Sequence, residues 1–394
     1  MRRIAANYIF PVTRPPLKNG IVELDNNGVV LNLIDTKGDF TESRNLEFYN
    51  GVLVPGFVNT HCHLELSELK NTFNRSLTLP GFITEIVKYK KKNVTEISRE
   101  SAFLEDDLMK RNGIVAVGDI ANTSLTIDVK QKSKLFYHTF VEVMGLNKNP
   151  EYNFSKGIDV YNQFLSAGLK SSVVPHAPYS VSPELFNRVK TFAVQNNSIQ
   201  SIHNQESESE NQFFESKTGK LVDAFMSMGI DLSGWNATGK HSLESINEFL
   251  PRENNFLFVH NLYSTKNELQ DIIETFKNPF FVLCPNSNFF IGEKYPDFEL
   301  FLKFKDKVAL GTDSLASNTS LSILDEMKTI TRINPAISFD TILQWATLNG
   351  AKALNCEKEF GSFETGKQPG INLISDFDFT KMQITEKSRI KVLV

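Results

Sequence analysis

From Leu53 onward, short runs of β-branched and aromatic residues recur, each closed by a polar segment and followed by a stretch of helical length with apolar positions three and four apart. Repetition of that pattern is the βα unit of a parallel sheet. The runs are LVPGFVNTH, GIVAVGDI, LFYHTFVEVMG, SSVVPHAP, IQSIHNQE, NFLFVHN, FFVLCPNS and KVALGTDS. Eight is the number a closed (β/α)₈ barrel requires. Intervening helices carry their own punctuation. SRESAFLEDDLMKRNG, from Ser98, ends with Gly113 at a C-cap position, and SPELFNRVKTFAVQNN opens with Ser182 as N-cap and Pro183 as its first helical residue. Residues 1 to 54 lack helical periodicity. There IVELDNNGVVLNLI places Asn27-Gly28 between two alternating runs, which predicts a hairpin. After Asn355 the chain returns to short strands, INLIS and IKVLV. The predicted fold class is α/β: a (β/α)₈ TIM-type barrel over 55–355, with a small discontinuous β-sandwich made of 1–54 and 356–394.

Active sites of such barrels lie at the C-terminal ends of the strands, so the polar residue closing each run is the first candidate for chemistry. His61 and His63 close the first run as His-x-His. Residues two apart in a strand share a face, so both imidazoles point at one interior position while Cys62 points away. His203 closes the fifth run and Asp313 the eighth. Three nitrogen donors and a carboxylate suit one divalent metal ion, Zn²⁺ first, with Fe²⁺ or Mn²⁺ as alternatives. A lone His-x-His is equally compatible with two hydrogen-bonded structural histidines; the other strand ends strengthen the metal reading.

Glu206 follows His203 by three residues, where a carboxylate reaches a water at the metal and shuttles its proton, or is simply an exposed loop acid beside Glu208 and Glu210. His260 closes the sixth run and is either catalytic or a packed histidine. His176, in Pro-His-Ala-Pro-Tyr, is a candidate substrate contact or a loop-shaping residue. Glu142 near the end of the third run lines the pocket or pairs with a neighbouring loop. His241, in TGKHSLES, is a lid or substrate candidate, and His138, inside the third run, is structural. The stretches Leu64 to Phe82 and GWNATGKHSLES are long loops expected over the barrel mouth, where specificity is set.

Composition narrows the partners. At 41% hydrophobic and 22% charged, the 394-residue chain has the make-up of a globular protein with a large core. A net charge of −4 argues against nucleic acid, and the basic run Lys88-Tyr89-Lys90-Lys91-Lys92 reads as a solvated helix face. No apolar stretch approaches a membrane span, and MRRIAANYIFPV is interrupted before it forms a signal-peptide core, so no membrane partner and a cytoplasmic location are expected. Cys62, Cys284 and Cys356 are too few and too far apart for a disulfide framework. The partner expected is a small-molecule substrate.

With these residues in place, the sequence resembles the amidohydrolase superfamily, and within it the mononuclear aminohydrolase branch. That branch includes adenosylhomocysteine and methylthioadenosine deaminases, guanine-type deaminases, aminofutalosine deaminases and triazine chlorohydrolases. The likeness spans nearly the whole chain and is carried by PGFVNTHCHLELS, VVPHAPYSVSPEL, IHNQES, FVHN, LCPNSNFFIG and LGTDSLASNTSLSILDEM, in the family's order. It implies a barrel beside a small β-sandwich and a single Zn²⁺ or Fe²⁺ on His61, His63, His203 and Asp313. It also implies roles: Glu206 carries a proton from water to a ring nitrogen, Asp313 helps activate the water, and His260 orients it and stabilises the developing oxyanion. Relatives of this kind self-associate, so a homo-oligomer is expected. Two departures stand out. Asn204 and Gln205 replace smaller or apolar residues, which implies a more polar pocket, and KQPGINLIS departs from the family's Lys-x-x-Asp-Leu. HLELS with Glu65 is nearest to aminofutalosine deaminases, so an N-ribosyl adenine is a candidate substrate.

Other readings compete. A ring-opening amidase resembles this scaffold but bridges two metals with a carboxylated lysine on the fourth strand, where this chain has SSVVPHAP and Lys170 sits at the wrong end. The same activated water also displaces chloride from a ring. A catalytically silent binding barrel would be marked by loss of a ligand or of the proton shuttle, and neither is missing.

Overall fold

All eight apolar runs are strands in the computed structural model, which describes residues 1–39, 45–92, 99–146 and 149–394. The N-terminal segment supplies β1 (Arg2–Ile9), β2 (Leu17–Lys18), β3 (Ile21–Leu24), β4 (Val30–Ile34) and β5 (Leu46–Pro55). The runs follow as β6 (Phe57–Cys62), β7 (Ile114–Ala121), β8 (Phe136–Val143), β9 (Lys170–Pro175), β10 (Gln200–Asn204), β11 (Asn255–His260), β12 (Asn278–Leu283) and β13 (Val308–Leu310). The chain ends in β14 (Ile371–Ser375) and β15 (Arg389–Val392).

Strands β6 to β9 and β10 to β13 form two parallel ladders of four, each in sequence order. Two seams close them into a barrel. Between β9 and β10, His203 N donates to His176 O at 3.0 Å and Gln200 Nε2 to Val173 O at 3.1 Å. Between β13 and β6, Thr312 N and Asp313 N both donate to His61 O at 3.0 Å, and Thr60 Oγ1 donates to Leu310 O at 2.6 Å. Both seams are therefore tied through residues flanking, or belonging to, the candidate metal ligands.

Strands covered on both faces read as near-continuous apolar runs, as these do. Leu257 and Val259 pack with Val58, Val174 and Val282 inside the barrel. Phe256 and Phe258 point the other way, against Phe276 at the end of the helix Lys266–Thr275. Helix punctuation follows the sequence: Ser182 Oγ accepts Leu185 N at 3.3 Å with Pro183 first in the helix, and Gly113 takes φ +78° after the helix Arg99–Arg111. Ser98, where that helix was expected to begin, lies outside the described residues. Lys88 and Lys90 to Lys92 are exposed, as a solvated helix face requires. No described helix is long and apolar enough to cross a membrane.

Strands from both ends of the chain share a sheet, ordered β15-β14-β5-β1-β3-β4 with β2 on β1. Its hydrogen bonding is continuous through all seven strands. The expected hairpin is β3–β4, where Asp25 Oδ1 accepts both Asn27 N and Val29 N at 2.8 Å and Gly28 takes φ +85°.

Candidate metal centre and active site

Four atoms meet at the C-terminal mouth of the barrel. His63 Nε2 lies 3.2 Å from His61 Nε2, 3.3 Å from His203 Nε2 and 3.3 Å from Asp313 Oδ1, and His61 Nε2 lies 3.7 Å from Asp313 Oδ1. Zinc–nitrogen bonds of roughly 2.0–2.1 Å in a tetrahedron give ligand-to-ligand edges of about 3.3 Å, so the donors are spaced for one small divalent cation. A register shift in the β6–β7 ladder between Asn59 and Cys62 re-aims the end of β6. Gly311 lets β13 come this close, because a Cβ there would sit 2.8 Å from His61 Cβ.

Two of the three imidazoles are held neutral, and the third, His203, has to give up its Nε2 proton before it can ligate. Burial lowers the pKa of His61, and that of His63 to about 4, leaving both imidazoles neutral. For His203 burial acts the same way but is overcome by the charge and hydrogen bond of Glu142, which lift it to about 9. Its Nδ1 lies 3.2 Å from Glu142 Oε1 and donates to His176 O at 2.9 Å. The Nδ1 proton is thereby fixed, and Nε2 is the nitrogen that faces the other donors, the carboxylate-histidine arrangement common behind metal ligands.

Asp313 takes φ +59°, and its Oδ2 accepts Ser287 Oγ at 2.6 Å and Ser317 Oγ at 3.0 Å, leaving Oδ1 for the histidines. Burial opposes its ionisation, yet the hydrogen bond to His61 and the neighbouring imidazoles hold it well below the usual carboxylate range. Across the site, Glu206 Oε2 lies 3.7 Å from His260 Nε2. Burial, then the charge of Asp313, pushes Glu206 up to about 8. His260 takes φ +73° and is kept neutral by burial. Asn288 Nδ2 donates to His260 Nδ1 at 3.0 Å, which places the ring proton on Nε2, toward Glu206. Non-glycine residues at positive φ are costly and gather at functional sites. Here Gln205, His260 and Asp313 all adopt that conformation.

With the geometry in view, relatives are informative. A family model described as "Amidohydrolase family" matches residues 52–390. The chain belongs to the amidohydrolase family. It is 28% identical over 351 residues to an adenosine deaminase of Helicobacter pylori, covering 85% of this chain and 82% of that one. It is 28% identical over 336 residues to an aminodeoxyfutalosine deaminase of a Nitratiruptor species, covering 82% and 79%. Its fold superposes with a TM-score of 0.82 on the Helicobacter pylori aminofutalosine deaminase crystallised with methylthio-coformycin, at 24% identity over 97% of this chain and 94% of that one.

Within this amidohydrolase, a cavity of about 210 Å³ meets the site at Glu206 and Asn288 and is lined further by Tyr263, Leu79, Ile291 and Lys220. The loop expected over the mouth from Leu64 to Phe82 reaches it through Thr78 to Pro80. The second expected loop does not. Trp235, Asn236 and Thr238 line a separate groove with Phe214 and Phe249. His241, read as a substrate contact, is instead held between Glu268 Oε1 at 3.0 Å and Glu215 Oε1 at 3.3 Å, outside the cluster, because carboxylates on two neighbouring helices capture both ring nitrogens. Glu142, also read as a substrate contact, has both oxygens engaged, one by His203 and the other by Asn122 Nδ2 at 3.3 Å. His176 stands beside His203, ring centres 4.9 Å apart, with Nδ1 bound to Ser180 Oγ at 2.7 Å. His138 pairs with Ser172 Oγ at 2.8 Å inside the sheet, as expected of a structural residue.

Asn204 and Gln205 do not make the pocket polar. Both are fully buried: Asn204 donates to Asn261 Oδ1 and Gln205 to Glu268 Oε1, fastening the loops after β10 and β11. Sequence reasoning missed Ser287, which closes the seventh run, and Asn288, which follows it, although inspection of that strand end would have found both. It also missed Asp119, which closes the second run. Asp119 pairs with buried Lys130 at 2.6 Å and accepts Leu64 N at 2.7 Å, fixing the backbone next to His63.

Proposed function

We propose that this amidohydrolase is a metal-dependent hydrolytic deaminase that converts a ring C–NH₂ of an adenine-type compound, an N-ribosyl adenine first, to C=O with release of ammonia. The observation that carries the reading is the convergence of three imidazole nitrogens and one carboxylate oxygen at cation spacing, with Glu206 and His260 on the rim. The named activities of the two sequence relatives, adenosine and aminodeoxyfutalosine deaminase, support the substrate class.

We assign the cation to His61, His63, His203 and Asp313, with Zn²⁺ preferred for a nitrogen-rich set. When bound, it supplies the Lewis acidity that makes hydroxide available near neutral pH. The chain's own residues move the protons. Glu206, pushed up to about 8, holds a proton at neutral pH; it gives that proton to the ring nitrogen beside the attacked carbon and, as the carboxylate so formed, takes one back from the attacking water. His260 offers its Nε2 proton to the oxygen on that carbon. The C–O bond forms and the C–N bond breaks; counted over one turnover, the water's two protons balance the one gained by the ring nitrogen and the one that leaves in ammonia. A bridged two-metal alternative lacks its lysine, since β9 ends in Val174-Pro175 and Lys170 lies exposed at its opposite end.

The proposal extends to an enzyme that acts on a small molecule in the cytoplasm as a homo-oligomer, with 1–54 and 356–394 as one unit beside the 55–355 barrel. Ammonia release by the zinc-loaded protein, assayed across adenosine derivatives, free aminopurines and aminopyrimidines, tests the function. Turnover of an N-ribosyl adenine is expected. Inertness toward all of them, combined with cleavage of a cyclic amide or a chlorinated ring, would overturn it.

A further inference from the structure

The site's unclaimed carboxylate is Glu210. It is fully buried, and among the described residues no lysine or arginine pairs with it. All its hydrogen-bond partners are donors. Oε1 receives Gln205 N at 3.0 Å and Ser242 Oγ at 2.6 Å, and Oε2 receives Glu206 N at 3.2 Å. Gln205 is in the left-handed region at φ +46°, which turns two successive N–H groups toward the same side, the geometry of an anion-holding nest.

Position along the helix makes this more than a cap. Ser207 is the N-cap of the helix Glu208–Ser216 and accepts Glu210 N, so Glu210 stands third in the helix. A Ser-x-x-Glu capping box would send the glutamate side chain back to the N-cap's own N–H. Here it reaches past Ser207 to Gln205 and Glu206. The third donor, Ser242, comes from the segment GWNATGKHSLES and is itself held by Asn211 Oδ1 at 3.1 Å. That segment stays outside the cavity yet touches the reaction loop through this carboxylate.

We propose that Glu210 is a positioning residue: by gripping the N–H groups of 205 and 206 it fixes the turn that aims the Glu206 carboxyl at His260 and Asp313. The inference rests on the reading of Glu206 as the proton carrier. A glutamine at 210 would present an amide N–H to one of two backbone N–H groups and break the grip.

The test is a double-mutant cycle with E210Q, E206Q and the double variant, alongside cation content and a crystal structure of E210Q. Displacement of a reacting group by an ångström costs about 100-fold in rate, so E210Q should lose roughly that in kcat, with KM little changed and one cation per chain retained. In the E206Q background the same change should cost nothing further, because Glu210 acts only through Glu206. A purely structural role would slow both backgrounds alike, and that result would overturn the proposal, as would wild-type kcat in E210Q. The crystal structure decides independently of turnover: Glu206 should leave its place 3.7 Å from His260 Nε2, and finding it unmoved sinks the idea even if the deaminase reading holds. Conversely, a wild-type protein that releases no ammonia defeats the deaminase reading while the displacement of Glu206 still judges Glu210. If E210Q fails to fold, E210D, which keeps the charge and shortens the reach, carries the same cycle and the same crystal comparison.

Discussion

Glu206, in the loop after β10, and Asp313, in the loop after β13, are both buried carboxyls, and each loop turns through a left-handed residue, Gln205 at +46° and Asp313 itself at +59°. A second buried carboxyl stands behind each. Glu210 holds the N–H groups of 205 and 206, and Glu326 accepts Asn286 N at 2.9 Å and Asn318 Nδ2 at 2.8 Å beside Asp313's serine partner. Yet burial and neighbouring charge lift Glu206 to about 8, while Asp313 stays far below the carboxylate range. Burial raises both; what differs is the company. Asp313 receives two hydroxyls and faces imidazoles, whereas among the described residues no donor lies within hydrogen-bond distance of the Glu206 carboxylate, which instead feels the charge of Asp313. Environments that drive two acids apart support the roles proposed for them, one to hold a cation and the other to carry a proton.

That contrast is broken most severely at its ends. D313N should lose bound cation and about 10³-fold or more of turnover together. E206Q should keep the cation, by elemental analysis, while turnover falls by about 10²- to 10⁴-fold. Loss of cation from E206Q would make the two carboxyls equivalent and dissolve the comparison. A gentler change removes the hydroxyls that distinguish Asp313. S287A and S317A should each weaken cation affinity by about 10- to 100-fold in chelator competition, and unchanged affinity in both would show that the serines do not set the character of Asp313.

The smallest effect concerns the supporting carboxyl. Burial raises Glu326 from 4.5 to about 8. A carboxyl that binds its proton more tightly when folded contributes stability fully present below the unfolded value and lost as pH rises through the folded one. Melting of cation-free protein should therefore show the wild type losing ground against E326Q, by a few degrees, between about pH 5 and about pH 8.5. A gap that is constant with pH would contradict the raised value.

The barrel and its four donors were legible because two periodic signals coincide: apolar runs mark strands, and the residue closing each run must face the mouth. That rule puts His61, His63, His203 and Asp313 at the mouth, and donor chemistry then picks them out from the other run ends. The rule says nothing about residues whose role comes from what folds back on them. His241 lies in a polar stretch of catalytic appearance, but Glu215 and Glu268 on adjacent helices claim its ring. Asn204 and Gln205 follow a ligand and yet spend their amides on Asn261 and Glu268. The left-handed turns at Gln205, His260 and Asp313 carry no glycine to announce them. In the terminal sheet the β3–β4 hairpin and the strands INLIS and IKVLV were legible, but the strand order was not, since it depends on β1 pairing parallel with β5 and on β14, from the far end of the chain, pairing with β5.

Anomalous diffraction at the zinc edge, on crystals of the full chain grown with zinc, examines the centre itself. One peak per chain should lie at about 2.0–2.2 Å from His61 Nε2, His63 Nε2, His203 Nε2 and Asp313 Oδ1. A peak held by other residues, or none between these four atoms, would contradict the account.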